Sequence, residues 1–132
     1  MTDARSLRAP DINPETKVFW DATIEGRLLL KMCADCERSH YYPRTICPLC
    51  GSTNTHWVEA NGKGSIYTFS TMRRGPFAPY ALAYVTLDEG PAILTNIVDC
   101  EFDELKIGQR VEVKFAANEG GTSYPMFKPI GD

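Results

Sequence analysis

The sequence predicts a mainly β protein with one N-terminal helix, a small metal-held ribbon and a five- to six-stranded antiparallel barrel. Three observations carry this expectation. Two Cys-x-x-Cys motifs, Cys33/Cys36 and Cys47/Cys50, lie close together. From Trp57 onward apolar residues recur with a period of two, the mark of half-buried strands. Before the cysteines, one stretch opens with helix-start chemistry and ends at a glycine. At 132 residues, 43% apolar and 23% charged, the composition is that of one folded domain or two very small modules. No run approaches the ~20 apolar residues that cross a bilayer. Met1 to Asp11 lacks the apolar stretch of a secretory signal, so a cytoplasmic protein is expected.

Residues 1–13 are polar, interrupted by Pro10, and read as a flexible arm. The helix is expected over 14–26. Asn13 suits the cap, Pro14 the first helical position, where its missing N–H is no loss, and Glu15 the positive end of the dipole. Gly26 supplies a left-handed stop. Val18, Phe19, Trp20, Ala22 and Ile24 do not share one narrow stripe, so the helix covers apolar surface on more than one side. Either it packs over the rest of the chain, or Phe19 and Trp20 meet another protein.

Residues 27–56 are expected to form the ribbon, with short strands at Leu28-Leu29-Leu30 and His40-Tyr41-Tyr42. Too few large apolar side chains lie here to build a core, and pieces this short need a staple. Ten residues separate the two cysteine motifs. Each tight turn aims two sulfurs at one ion, and Gly51 frees the backbone of the second turn. Cys33, Cys36, Cys47 and Cys50 are therefore the candidate metal ligands. Zinc is preferred over iron, although tetrahedral sulfur suits both. Four sulfurs leave no open position, which makes the metal structural. His40 and His56 read as surface or packing residues. Cys100 has no basic neighbour and reads as a small buried side chain or an idle thiol.

Residues 57–132 are expected to form the barrel, with strands near 57–60, 63–73, 80–88, 92–99, 109–116 and 124–129. Turn signals such as Asn61-Gly62 and Gly120-Gly121 separate them. Along the Tyr80 to Asp88 strand, Ala81, Ala83, Val85 and Leu87 point to the interior, while Tyr80, Leu82, Tyr84 and Thr86 point outward. That outward face is more apolar than a lone barrel requires. It is covered by the N-terminal helix, or it binds a partner or ligand. The loop from Arg73 to Pro79 sets two cations beside Phe77 and rigid turns. It is either a solvated connection or a site for phosphate or a partner.

The sequence contains no Ser/His/Asp constellation, no GxSxG and no HExxH. Gly62-Lys63-Gly64-Ser65 lacks the upstream glycine of a phosphate loop and enters a strand, so it reads as a turn. The formal net charge is −3, and residues 57–132 hold seven basic and ten acidic side chains. An acidic barrel lacks the positive funnel of a single-strand nucleic-acid module, which is one alternative reading. An iron electron carrier is another.

The order of parts resembles a known family. Phe19-Trp20 on a helix is followed by Gly26-Arg27-Leu28-Leu29-Leu30, Cys33-x-x-Cys36, Pro43-Arg44 and Cys47-Pro48-x-Cys50-Gly51. Then come Gly64-x-Ile66-Tyr67-x-Phe69, Leu94-Thr95-Asn96-Ile97-Val98 and Ile107-Gly108-Gln109-x-Val111-Glu112-Val113. Across roughly residues 15–130 this resembles the zinc-ribbon plus OB-fold acyl-CoA-associated proteins, long known only as a domain of unknown function. The resemblance implies a helix, a rubredoxin-like zinc ribbon and an OB barrel. It also implies an accessory subunit of a thiolase-superfamily enzyme, a thiolase-like aldolase or an acyltransferase, including the aldolases of steroid side-chain breakdown. Catalytic residues are then the partner's, and a CoA thioester is bound jointly with it. On that reading Arg73 and Arg74 are candidates for the CoA phosphates, and Phe19, Trp20, Phe77, Tyr80 and Tyr84 for the partner interface.

Overall fold

The computed structural model describes residues 7–130. Residues 1–6 of the expected arm and 131–132 of the expected barrel lie outside that range.

The helix α1, Lys17–Ile24, is shorter than the expected 14–26. Asn13 caps a preceding turn instead. Its Oδ1 and its carbonyl both accept the Thr16 N–H, at 3.1 and 3.0 Å. Glu15 is likewise diverted. Its carboxylate accepts the Thr45 N–H at 2.6 Å, which binds the helix entry to the ribbon and holds that carboxyl below its usual range. Gly26 ends the helix as expected, at φ 74°.

Three antiparallel strands make the ribbon sheet: β1 (Leu29–Cys33), β2 (Arg38–His40) and β3 (Thr55–Glu59), in the order β2-β1-β3. Lys31 stands opposite both His40 and Trp57, and its ammonium lies 4.5 Å over the Trp57 ring. Two expectations change here. Tyr41 and Tyr42 leave the strand after His40 and turn toward α1. The strand expected at 57–60 is β3, and it pairs with β1 in the ribbon rather than with the barrel. The ribbon sheet therefore crosses the expected 56/57 boundary.

The barrel has five strands: β4 (Lys63–Met72), β5 (Tyr80–Leu87), β6 (Ala92–Ile97), β7 (Arg110–Ala117) and β8 (Ser123–Pro129). They close in the order β4-β5-β6-β8-β7, with β7 pairing back onto β4. Every pairing is antiparallel except β6 with β8. The alternation in β5 falls as expected, with Ala81, Ala83, Val85 and Leu87 buried in the interior. Gly64 in β4 is required by close approach, since a Cβ there would meet the Thr86 carbonyl oxygen at 2.4 Å. At the β4–β7 seam, Arg110 donates both guanidinium ends to Asp88, at 2.8 and 2.9 Å, and Asn61 adds a third bond to the same carboxylate.

The helix joins ribbon to barrel. Phe19 packs against Trp20, Tyr41 and Tyr42, and Trp20 packs edge-on to Tyr124 of β8. The Trp20 indole donates to the Tyr42 hydroxyl at 2.8 Å, and Thr23 Oγ1 accepts the Ser123 N–H at 3.0 Å. One core therefore runs through Phe19, Trp20, Leu28 and Leu30 into Ile66, Val85, Val111 and Phe127.

Truncating Phe19 to alanine empties the centre of this pile and should cost about 3–5 kcal/mol, read as a shift of the denaturant midpoint at unchanged slope. A second outcome concerns pH. The hydrogen bonds from Arg110 hold Asp88 at about 2, below its ordinary 3.8. Its contribution is therefore present above pH 3.8 and is lost as pH falls through about 2. Asp88→Asn should be less stable than the parent at neutral pH, and the gap should close on acidification, as followed by thermal melts at stepped pH.

Candidate metal centre

Two knuckles carry the four cysteines. In the first, the Glu37 N–H donates to the Cys33 carbonyl at 2.8 Å. In the second, the Gly51 N–H donates to the Cys47 carbonyl at 2.8 Å. Each knuckle closes on a left-handed residue, Glu37 at φ 58° and Gly51 at φ 83°. The sequence points to Gly51, but a glutamate gives no sign of the equivalent turn. The knuckles are also stitched to each other. Asp35, inside the first motif, accepts from Ser52 Oγ at 2.5 Å and Asn54 Nδ2 at 3.3 Å, just beyond the second.

This frame brings all four sulfurs within 4.8 Å of one another. Cys33 and Cys50 sulfurs are 3.6 Å apart, and those of Cys36 and Cys47 are 3.8 Å apart. A zinc ion with sulfur at about 2.3 Å gives a tetrahedral edge of about 3.8 Å, close to both of these separations, so the donor set suits zinc. Backbone hydrogen bonds from Cys36 and Asp35 pull the Cys33 thiol down to about 7. At Cys50 the Ser52 N–H favours the thiolate, but Cys33, burial and the other two sulfurs outweigh it and raise that thiol to about 12. Four thiolates cannot share this space without a cation to neutralise them. Bound there, zinc cross-links the two knuckles, with all four positions taken by sulfur.

His40 and His56 flank the cluster without joining it. His40 is buried, its Nε2 accepts the Arg44 N–H at 3.3 Å, and burial lowers its pKa. Cys100 is also separate. Burial, then the nearby Asp99 and Glu101, push its thiol up, the opposite of what a nucleophile needs.

The candidate partner and phosphate residues are scattered over the surface, with two exceptions. Phe19 is 0% and Trp20 is 5% exposed. Both are spent inside this chain, because ribbon and barrel flank the helix on two sides, and neither offers a face to a partner. Arg73 pairs with Asp103, whereas Arg74 has no ion pair among the described residues. Phe77 and Tyr84 are exposed and Tyr80 is half-buried. Tyr80, Arg73, Cys100, Phe102 and Phe115 line a cleft of about 700 Å³ at one end of the barrel, which also holds the Lys114–Asp99 pair. Nothing local in the sequence marks this cleft, because its lining comes from six separate segments.

Residues 20–56 match the model of the ChsH2 rubredoxin-like zinc ribbon domain, and residues 57–116 match that of the ChsH2 C-terminal OB-fold domain. A DUF35 domain-containing scaffold protein of Methanocaldococcus jannaschii is 34% identical over 110 residues, covering 74% of this chain and 78% of the relative.

The chain belongs to the DUF35 family.

The structure agrees with that family's fold. It superposes with a TM-score of 0.81 on a chain of the Ltp2-ChsH2(DUF35) aldolase, at 31% identity, covering 92% of this chain and 98% of that one. A DUF35 protein of unknown function from Sulfolobus solfataricus shares the fold at 14% identity and a TM-score of 0.65. A probable enoyl-CoA hydratase alpha subunit of Thermomonospora curvata is 32% identical over 124 residues. This chain spans 39% of that protein, and 62% of a DUF35 scaffold protein of Pyrococcus furiosus that it matches at 40% identity. The match of residues 20–56 to a zinc ribbon domain, together with the four clustered sulfurs, supports structural zinc at this site. Among the described residues no helix is long and apolar enough to cross a membrane.

Cys33→Ser should lower zinc content and melting temperature together, the latter by at least about 10 °C, equivalent to roughly 3 kcal/mol at this size. Elemental analysis beside a thermal melt checks both. Full zinc at an unchanged melting temperature would rule the site out.

Proposed function

We propose that this chain is a non-catalytic accessory subunit that docks on a thiolase-superfamily enzyme acting on acyl-CoA in the cytoplasm. The partner is a thiolase-like aldolase or an acyltransferase, with steroid side-chain breakdown as one setting. The observation that carries this reading is the likeness, over nearly the whole of both chains, to a chain from the structure of an aldolase named for two components. The enoyl-CoA hydratase name of a second relative points to the same substrate class.

The division of labour follows from the chemistry of this chain. Its sulfurs are suited to a structural ion and its spare thiol is held protonated, so both features serve shape. The zinc-held ribbon and the barrel share one core, which makes the chain a rigid wall against which an enzyme can close its acyl-CoA passage and exclude water. Arg73 is engaged with Asp103, which leaves Arg74 as the better candidate for a CoA phosphate. The acidic excess of the barrel half speaks against the nucleic-acid reading.

Purification of the tagged chain from its native source at low stringency should recover a thiolase-superfamily subunit in a fixed ratio, identified by mass spectrometry. Acyl-CoA turnover by the chain alone, or recovery of nucleic-acid machinery only, would count against the proposal.

A further inference from the structure

Most of the barrel's solvent face is ordinary. Along β7 and β8 the outward residues Arg110, Glu112, Lys114 and Lys128 are charged and paired, Glu112 with Lys128 at 3.7 Å and Arg110 with Asp88. The opposite side is different. From Tyr67 to Met72 in β4, Tyr80 to Thr86 in β5 and Ala92 to Asn96 in β6 there is not one charged residue. These three strands are neighbours, and their register aligns the outward side chains in rows. Thr68, Tyr84 and Leu94 stand across one row, and Ser70, Leu82 and Asn96 across the next. Leu82 is 42%, Tyr84 46% and Leu94 52% exposed. The helix does not cover this face, contrary to one of the two readings of the sequence, because α1 is seated on β8 and β1.

Depletion of charge together with exposed aromatic and aliphatic side chains is the composition of an interface centre rather than of open surface. The sheet also borders the cleft. Tyr80 and Asn96 hold outward positions on it and line the cleft wall. A body seated on the sheet therefore reaches the cleft mouth and the Arg73–Pro79 loop with Phe77. A second copy of this chain is a poor occupant. Three strands of about six residues present roughly 300 Å² in plan, well short of the about 800 Å² per partner of a stable pair. A larger body that continues onto the loop and the cleft rim makes up the difference. Its matching patch must itself be uncharged, since a charge pressed onto this sheet would find no counterion.

We propose that the outward face of β4, β5 and β6, centred on Tyr84 and Leu94, is the surface on which the acyl-CoA enzyme subunit docks, through an uncharged apolar patch of its own. This rests on the accessory-subunit reading above and adds the surface and the chemistry of its counterpart.

The test compares Leu94→Asp and Tyr84→Asp with Ile107→Asp, an equally drastic change at a residue 70% exposed and off the sheet. All three variants should retain the parent's circular dichroism and zinc content, because none of the three side chains is buried. The enzyme subunit recovered with the wild-type chain is then titrated against each. The two sheet variants should bind at least tenfold more weakly, and Ile107→Asp within twofold of the parent. If both sheet variants bind within twofold of the parent, this proposal is overturned and the accessory-subunit reading stands. An equal loss with Ile107→Asp overturns it too, as does a wild-type homodimer in light scattering that Leu94→Asp dissociates, which would hand the face to a second copy. If no acyl-CoA enzyme subunit is recovered with the wild-type chain, the accessory-subunit reading fails and this proposal fails with it.

Discussion

Two aromatic rings on consecutive helix positions hold this molecule together. Neighbouring residues on a helix point about 100° apart, so Phe19 and Trp20 address different surroundings. Phe19 enters the ribbon side, against Tyr41 and Tyr42, while Trp20 bridges from Tyr42 to Tyr124 on the barrel. Without that bridge the ribbon is a sheet of three short strands with sulfur at one end and no interior of its own. With it, Leu28 and Leu30 become part of the same apolar mass as the barrel's Val85 and Phe127. The zinc site and the aromatic pile thus act at opposite ends of the ribbon. One closes the knuckles, and the other fixes the sheet to the barrel.

The two attachments differ in kind. Four thiolates around an ion are directional and short-ranged, and they set the geometry of the knuckles to tenths of an ångström. Aromatic packing is broad and depends on area, and it sets where the whole ribbon lies. Hydrogen bonds such as those from Ser123 to Thr23 and from Thr45 to Glu15 make the docking angle specific. The function proposed for this chain depends on that combination, because a wall for another enzyme's passage must hold its shape while taking no part in the chemistry.

Much of this was legible in the sequence, where the signal is local. The cysteine spacing identifies the metal ligands, and the period-two pattern of Tyr80 to Leu87 identifies a strand and its inward face. What was not legible depends on partners distant in the chain. Thr55–Glu59 has the pattern of a barrel strand, and only its pairing with Leu29–Cys33 makes it ribbon. Phe19 and Trp20 look like a surface for another protein until ribbon and barrel are both in place around them. The late start of α1 has a local cause that propensity does not weigh, since the Asn13 side chain captures the N–H of Thr16 and Glu15 is drawn to Thr45. The cleft is assembled from segments far apart in the chain and leaves no mark in any one of them.

The closure of the barrel bears on how such a chain survives before it meets anything. A three-stranded stretch without charge is the kind of surface that recruits foreign strands when its sides are open, because unpaired backbone N–H and C=O groups template further growth. Here β7 closes onto β4 at Lys63–Ser65 and β8 meets β6 at Ile97, so the ring is joined at one end of each outer strand of the uncharged sheet. That closure shortens the main-chain edge open to a foreign strand, and leaves recognition mainly to side chains, which discriminate by shape. A greasy sheet in an open fold would present two full-length edges for such growth, whereas the closed barrel curls this one round and ties an end of each outer strand to a neighbour.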